Sequence, residues 1–260
     1  MKNSANTPWL AYFKPNPAAR LRLFCFPYAG GNAVIYRTWA NSLPPSVEVC
    51  PVQLPGRGHR LREEPHRNVH SMVEDVGQAL LPYMDIPFAF WGHSMGGMLS
   101  YELAQLLRRE ARTAPVHLFI SGRRAPHMPD VNPITYDLPE AEFIEELRRL
   151  KGTPPEILDS PELMQMVIPL LRADFQVCQT YSYSPQPSLD CPISVFGGLK
   201  DVEVSREYLE AWRDHTTSSF WIRMFPGDHF FLHTSQGDLF KILSQELHQL
   251  ASRIGHRQFV

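Results

Sequence analysis

"FWGHSMGG", residues 90–97, is entered from the apolar stretch "IPFAF" and left through "MLSYELAQLL", which has the spacing of a helix. A serine between glycines where a strand stops and a helix starts fits G-x-S-x-G, as Gly92, His93, Ser94, Met95 and Gly96. Glycine is frequent enough for the pattern to arise by chance, so its context carries the weight. Here the glycines stand where side chains would crowd a tight strand-to-helix turn, and such a turn projects Ser94 as a nucleophile beside the helix N-terminus.

Outward from this turn the chain alternates strand-like and helix-like segments. "LRLFCFP" (21–27) is followed by the helix-like "NAVIYRTWANSL", and "VEVCPVQLPG" (47–56) by "VHSMVEDVGQALLPYM". In the latter Val69, Met72, Val73, Val76, Leu80 and Leu81 make one helical face. "PFAFWG", "GMLSYELAQLLRREA" and "VHLFISG" then supply strand, helix and strand. "CPISVFGG" (191–198), "SREYLEAWRDH", "SFWIRMFPG" and a helix from about Leu239 to Ile254 complete the pattern. Alternation of this kind predicts an α/β fold, a mostly parallel sheet with helices on both faces and functional groups on loops at the carboxyl ends of the strands. Residues 126–187 interrupt it with "PEAEFIEELRRL" and "PELMQMVIPLLRADFQVCQTYSY" and no strand signal. The simplest reading is one domain over 1–260 with a helical lid inserted at 126–187, in which Phe143, Ile144, Leu147, Leu150, Leu163, Met166, Val167, Leu170, Leu171 and Phe175 are packing positions.

The bulk properties narrow the function. A chain of 260 residues can bury roughly three quarters of its unfolded surface and needs no staples. Lys+Arg 25 against Asp+Glu 27 leaves a formal charge of -2, which offers no basic field for nucleic acid and little attraction to anionic membrane. Cys25, Cys50, Cys178 and Cys191 form no C-x-x-C pair and no metal-ligand spacing, and three of them lie in apolar runs that suggest burial. Without a leader-like N-terminus or a run of about 18 apolar residues, the expectation is a soluble, cytoplasmic monomer.

A serine hydroxyl becomes a nucleophile only when a base takes its proton, so the elbow calls for an acid and a histidine further along the chain. Asp201 lies just beyond the strand in "CPISVFGGLKD", and His229 just beyond the last strand in "FPGDHFFLH". His93 lies inside the elbow, His215 ends a helix, His233 falls on the next helix, Asp228 adjoins His229, and Asp190 precedes its strand. Each is less well placed. The oxyanion hole should use the N–H of Met95 and one from Tyr28-Ala29-Gly30-Gly31, with Ala29 preferred and Tyr28 the alternative.

"FPYAGG" (26–31), "QLPGRGHR" (53–60), "FWGHSMGG" (90–97), "GTPPEIL", "IPLLRADFQ" (168–176), "FGGLKD" (196–201) and the "GDHFFL" stretch together resemble a type II thioesterase, a stand-alone enzyme of the α/β-hydrolase fold. The resemblance runs from about residue 20 to the C-terminal helix. It implies that Ser94, Asp201 and His229 form the catalytic triad, that the insertion is a lid over an acyl pocket, and that no metal or cofactor is needed. It further implies hydrolysis of stalled acyl groups from the phosphopantetheine arm of an acyl or peptidyl carrier protein in polyketide or nonribosomal peptide synthesis. Two departures fall in the lid: Lys151 replaces a glycine frequent before "GTP", and "FQVCQTY" lacks a glutamate near its end. They bear on acyl preference rather than on the chemistry. Arg57, Arg60 and Arg62 can be read either as a docking patch for an acidic carrier or its phosphate, or as an ordinary charged loop. Two alternatives stay open: another α/β-hydrolase with the same triad, such as an oxoesterase or acyltransferase, and a non-catalytic synthase-binding protein.

Overall fold

The computed structural model describes residues 7–257. Strands β1 (Leu21–Phe26), β2 (Val47–Pro51), β3 (Phe88–His93), β4 (Leu118–Ser121), β5 (Ile193–Gly198) and β6 (Phe220–Phe225) form one sheet in the order β2-β1-β3-β4-β5-β6, with every adjacent pair parallel. The chain moves outward from β1 to β2, then crosses back to set β3 on the other side of β1. That reversal makes the carboxyl ends of β1 and β3 the switch point of the sheet, where ligands of open α/β sheets bind.

The strands read as apolar runs because both faces are covered. On one face Phe24 and Phe26 pack with helix α1 (Val69–Leu80) and helix α2 (Met95–Arg109). On the other, Leu21, Leu23 and Cys25 meet Tyr36, Trp39 and helix α8 (Gln236–Arg257) through Leu239, Leu243 and Leu247. The alternation along β1 is the two-residue period of a strand. Helix α1 starts at Asn68, whose side chain accepts from the amides of His70 and Ser71, a capping arrangement worth about 1 kcal/mol. Its buried face is the one predicted, except that Leu81 opens a short 3-10 turn (Leu81–Tyr83).

The helix expected over "NAVIYRTWANSL" is instead two 3-10 turns, Ala33–Tyr36 and Trp39–Asn41. Val34, Ile35 and Thr38 are β-branched and weaken an α-helix. In 3-10 geometry residues three apart share a face. Tyr36 and Trp39 are both fully buried and meet edge-to-face at 4.9 Å, while the Tyr36 hydroxyl donates to the Phe26 carbonyl at 2.8 Å. The C-terminal helix also begins earlier than its periodicity suggests, at Gln236.

Between β4 and β5 lie helices α3 (Glu140–Leu150), α4 (Pro155–Leu158) and α5 (Pro161–Gln179), flanked by irregular chain. They build a small core of their own from Phe143, Leu147, Leu158, Met164, Ile168 and Leu171. Leu163 and Met166 do not join it: both project to solvent, at 43% and 58% exposure, because they fall on the outer side of α5. Ser160 caps α5 and Pro161 occupies its first position, where a missing N–H costs nothing. Beyond the lid, α6 (Arg206–Glu210) and α7 (Phe231–Thr234) follow β5 and β6.

Lys151 terminates α3 in the left-handed region, at φ 58 and ψ 17, with its N–H returning to the Leu147 carbonyl. This is the helix-end position that favours glycine. The departure at Lys151 is therefore a matter of backbone conformation rather than of acyl contact. Lys151→Gly is expected to raise stability by about 0.5–1 kcal/mol, read as a higher urea midpoint at unchanged slope.

Candidate active site

The turn after β3 is set by two contacts that admit no side chain. A Cβ on Gly92 would lie 2.0 Å from the Gly96 carbonyl oxygen, and one on Gly96 would lie 2.1 Å from the Phe26 carbonyl oxygen. Ser94 between them adopts φ 53 and ψ -114, a conformation that costs on the order of 1–3 kcal/mol and persists only where its surroundings impose it. Its N–H is held by the Ser121 carbonyl at 2.7 Å, and its carbonyl accepts from Gly97 at 2.9 Å. Met95 follows as the first residue of α2, so its N–H belongs to the turn whose amides have no acceptor within the helix.

Asp201 and His229, on the loops after β5 and β6, are brought together: His229 Nδ1 lies 2.8 Å from Asp201 Oδ2. The other carboxylate oxygen accepts from the amides of Glu203 and Val204, at 2.9 and 3.1 Å. The Asp201 side chain is 1% exposed. Because an ionised carboxylate only accepts, Nδ1 carries the proton and Nε2 of the neutral ring keeps its lone pair. His229 and Ser94 line the same cavity. The competing groups are engaged elsewhere. Asp228 Oδ1 accepts from the Phe230 amide, His215 bonds Tyr101 and His127, His233 meets the Tyr28 hydroxyl at 3.1 Å, and Asp190 is hydrogen-bonded to Thr217. His93 is fully buried, with Nδ1 2.8 Å from Ser121 Oγ and its ring 5.0 Å from that of His229. Burial, reinforced by the neighbouring histidines, holds its pKa well below the usual value, so it stays neutral behind His229.

In the loop Tyr28-Ala29-Gly30-Gly31 two amides are already committed. Gly31 donates to the Tyr28 carbonyl at 2.8 Å, and Gly30 donates to Asp174 Oδ2 at 2.7 Å. Tyr28 and Ala29 remain, and both line the cavity with Ser94. Asp174 comes from α5 and is paired in turn with Arg57, Nη1 to Oδ2 and Nη2 to Oδ1, both at 2.8 Å.

The pair removes Arg57 from the candidate docking patch, and Arg60 is removed by burial too, whereas Arg62 is exposed. Arg57 is 2% exposed and committed to Asp174. Arg60 is 5% exposed, bonded to Glu63 and to the Gln53 carbonyl, and stacked 3.9 Å over Trp9. Neither can meet a carrier. The signal for Arg57 was present in "LRADF", whose acid falls on the same face of α5 as Leu170, Leu171 and Val177, yet only the fold brings positions 57 and 174 together.

The cavity has a volume of about 150 Å³ and is walled on the lid side by Leu171 and Phe175 and on the sheet side by Tyr28, Ala29, Ser94 and His229. Arg149 on α3, also in its wall, bridges Glu146 and Glu203 at 2.8 and 2.7 Å, and these two carboxylates raise its pKa. A base oriented by an acid, a projecting serine and first-turn amides in one small cavity can perform acyl transfer through a tetrahedral oxyanion. Among the described residues no cluster of His, Cys, Asp or Glu could hold a metal, and no helix is long and apolar enough to cross a membrane.

Residues 21–250 match the family model "Thioesterase domain". The chain belongs to the thioesterase family. Among its relatives is the gramicidin S biosynthesis protein GrsT of Aneurinibacillus migulanus, 45% identical over 239 residues, covering 92% of this chain and 93% of GrsT. Solved thioesterases superpose closely. RedJ, from the prodiginine biosynthetic pathway of Streptomyces coelicolor, is 41% identical with a TM-score of 0.83, covering 89% of this chain and 92% of RedJ. BorB, a type II thioesterase from the borrelidin biosynthetic cluster, is 33% identical with the same TM-score of 0.83, covering 92% and 97%. These neighbours identify the thioesterase's fold as that of the α/β-hydrolases.

In this thioesterase Asp201→Asn retains the Oδ1 bonds to Glu203 and Val204 but presents an amide N–H to His229 Nδ1. The ring must then carry its proton on Nε2, and kcat is expected to fall by roughly 10³–10⁴, with the thermal midpoint close to that of the parent; steady-state hydrolysis of an acyl thioester and a melting curve check both.

Proposed function

We propose that the protein is a type II editing thioesterase, hydrolysing acyl groups from the phosphopantetheine arm of a carrier protein in nonribosomal peptide or polyketide synthesis. The observation that carries this reading is that His229, held by Asp201, shares one cavity with a strained Ser94 in a chain whose close relatives belong to such pathways. Ser94 Oγ attacks the thioester carbonyl while His229 Nε2 takes its proton. The N–H groups of Met95 and Ala29 receive the oxyanion. Collapse of the tetrahedral adduct expels the thiolate, which ionises near pH 8.5 and takes the proton from His229. Water then enters, His229 removes its proton, and the acyl-Ser94 ester is hydrolysed to free acid.

Residues 126–187 act in this scheme as a lid, with α3 to α5 separating the acyl group from bulk water. Arg149–Glu203 holds it on the α3 side, a half-exposed contact of the kind worth about 1 kcal/mol or less. The cavity of about 150 Å³ matches a space that holds one benzene-sized guest. Short acyl groups are therefore the substrates that fit without rearranging the lid.

Released acid and free thiol, followed with acyl-phosphopantetheinyl carrier protein, test the reading directly. The parent should release both, and Ser94→Ala should lose about 10⁶ in kcat. Survival of carrier thioesters alongside cleavage of simple esters would make the protein an oxoesterase instead.

A further inference from the structure

Two sequence stretches that the reaction itself leaves unexplained, "LPGRG" and "LRADF", meet the oxyanion loop of "FPYAGG" at one buried ion pair. Asp174 on α5 has no exposed surface and receives three donors: Arg57 Nη1 and Nη2, each at 2.8 Å, and the Gly30 N–H at 2.7 Å. Arg57 spends its other contacts on the Gly31 carbonyl at 3.0 Å and, through Nε, on the Pro55 carbonyl at 3.2 Å. Consecutive residues of the Tyr28–Gly31 loop are thus gripped by opposite chemistry, Gly30 through its N–H and Gly31 through its C=O.

The surrounding packing permits little play. Gly30 lies at φ +75, and a Cβ there would sit 2.5 Å from Leu171 Cδ2. Gly56, at φ +78, would bring a Cβ to 3.3 Å from Leu170 Cδ1. Both loops therefore press backbone against the same helix that carries Asp174. Gln53 adds a further tie, donating to the Arg57 carbonyl at 2.9 Å and accepting from Ala33 at 3.2 Å.

A buried ion pair is poor evidence for stability, since an apolar pair of similar volume is often as stable or more so. What an apolar pair does not supply is an acceptor for the Gly30 N–H and a donor for the Gly31 carbonyl. We propose that Arg57 and Asp174 are positioning residues: they fix the loop after β1 against α5 and thereby set the Ala29 N–H at the distance that an oxyanion requires. The proposal rests on the reading of Ala29 and Met95 as oxyanion donors. A further consequence concerns the lid. The buried, fully satisfied pair clamps α5 to the loop after β1, and α3 and α4 are packed onto α5 through Phe143, Leu147 and Leu158.

The deciding comparison uses the full chain with a short-chain acyl thioester and an acyl trifluoromethyl ketone, whose hemiketal oxyanion occupies the same amides. The double variant Arg57→Met/Asp174→Leu replaces the pair by apolar groups; removal of the buried charges offsets part of the cost of leaving the Gly30 N–H and the Gly31 carbonyl unpaired, so it should fold and melt somewhat below the parent. Its kcat should nevertheless fall at least about tenfold, short of or up to the roughly 10²–10³ that removal of an oxyanion donor costs. KM should stay within about threefold, and ketone affinity should fall by the same factor as kcat. Asp174→Asn, which keeps an acceptor for Gly30 but weakens the grip of Arg57, should lose a few-fold in both. A folded double variant with parental kcat and ketone affinity overturns the proposal, as does a loss of activity that tracks melting temperature while ketone affinity stays constant. If the double variant does not fold, parental kcat and ketone affinity in Asp174→Asn overturn it alone. Failure of the underlying enzyme reading shows separately, as thioester turnover retained by Ser94→Ala.

Discussion

The contact on which the site depends is the approach of the first turn of α2 to the end of β1, where a Cβ at position 96 would stand 2.1 Å from the Phe26 carbonyl oxygen. Only glycine allows this. The same approach brings the backbone after Ser94 alongside the loop that begins at Pro27, whose Tyr28 and Ala29 line the cavity with Ser94. The strain at Ser94 follows from that packing: the residue must reverse the chain within one position between β3 and a helix already seated against β1. Strain of this kind is held by the rest of the sheet, whose strands are buried on both faces.

Around this turn the charged groups divide by burial, and the division assigns their work. Asp201 is inaccessible and bonded to His229 Nδ1, and its second oxygen is tied to the backbone amides of Glu203 and Val204. Asp174 is inaccessible where it joins α5 to the loop after β1. Arg149, with nearly half its side chain in solvent, joins α3 to the loop that follows Asp201. Contacts of the first kind leave partners stranded when broken and so resist motion, whereas the last is exchanged for water at small cost.

Much of this was legible in the primary structure, and the reason is local. The order of strands and helices follows from apolar period, and Ser94, Asp201 and His229 were candidates because each stands just past a strand, where an open α/β sheet gathers its functional loops. Legibility failed where a distant partner chose the outcome. Arg57 and Arg60 look like an exposed basic loop until α5 and Trp9 are folded over them. "NAVIYRTWANSL" reads as a helix by period, yet the need to seat Tyr36 and Trp39 on one face turned it into two 3-10 turns. Leu163 and Met166 carry apolar character that nothing among the described residues covers.

By itself, then, the sequence determined the fold class, the elbow and the residue types available for catalysis, because each is written in neighbouring positions: period, glycine spacing, and polar groups at strand ends. Only the tertiary structure decided that His229 reaches Asp201, that the Gly30 amide is already taken, and that Arg57 faces Asp174 rather than a partner. These are meetings of side chains 28 to 144 positions apart, and their partners are selected by burial, since a charge or an amide enclosed by the fold is retained only where another group satisfies it.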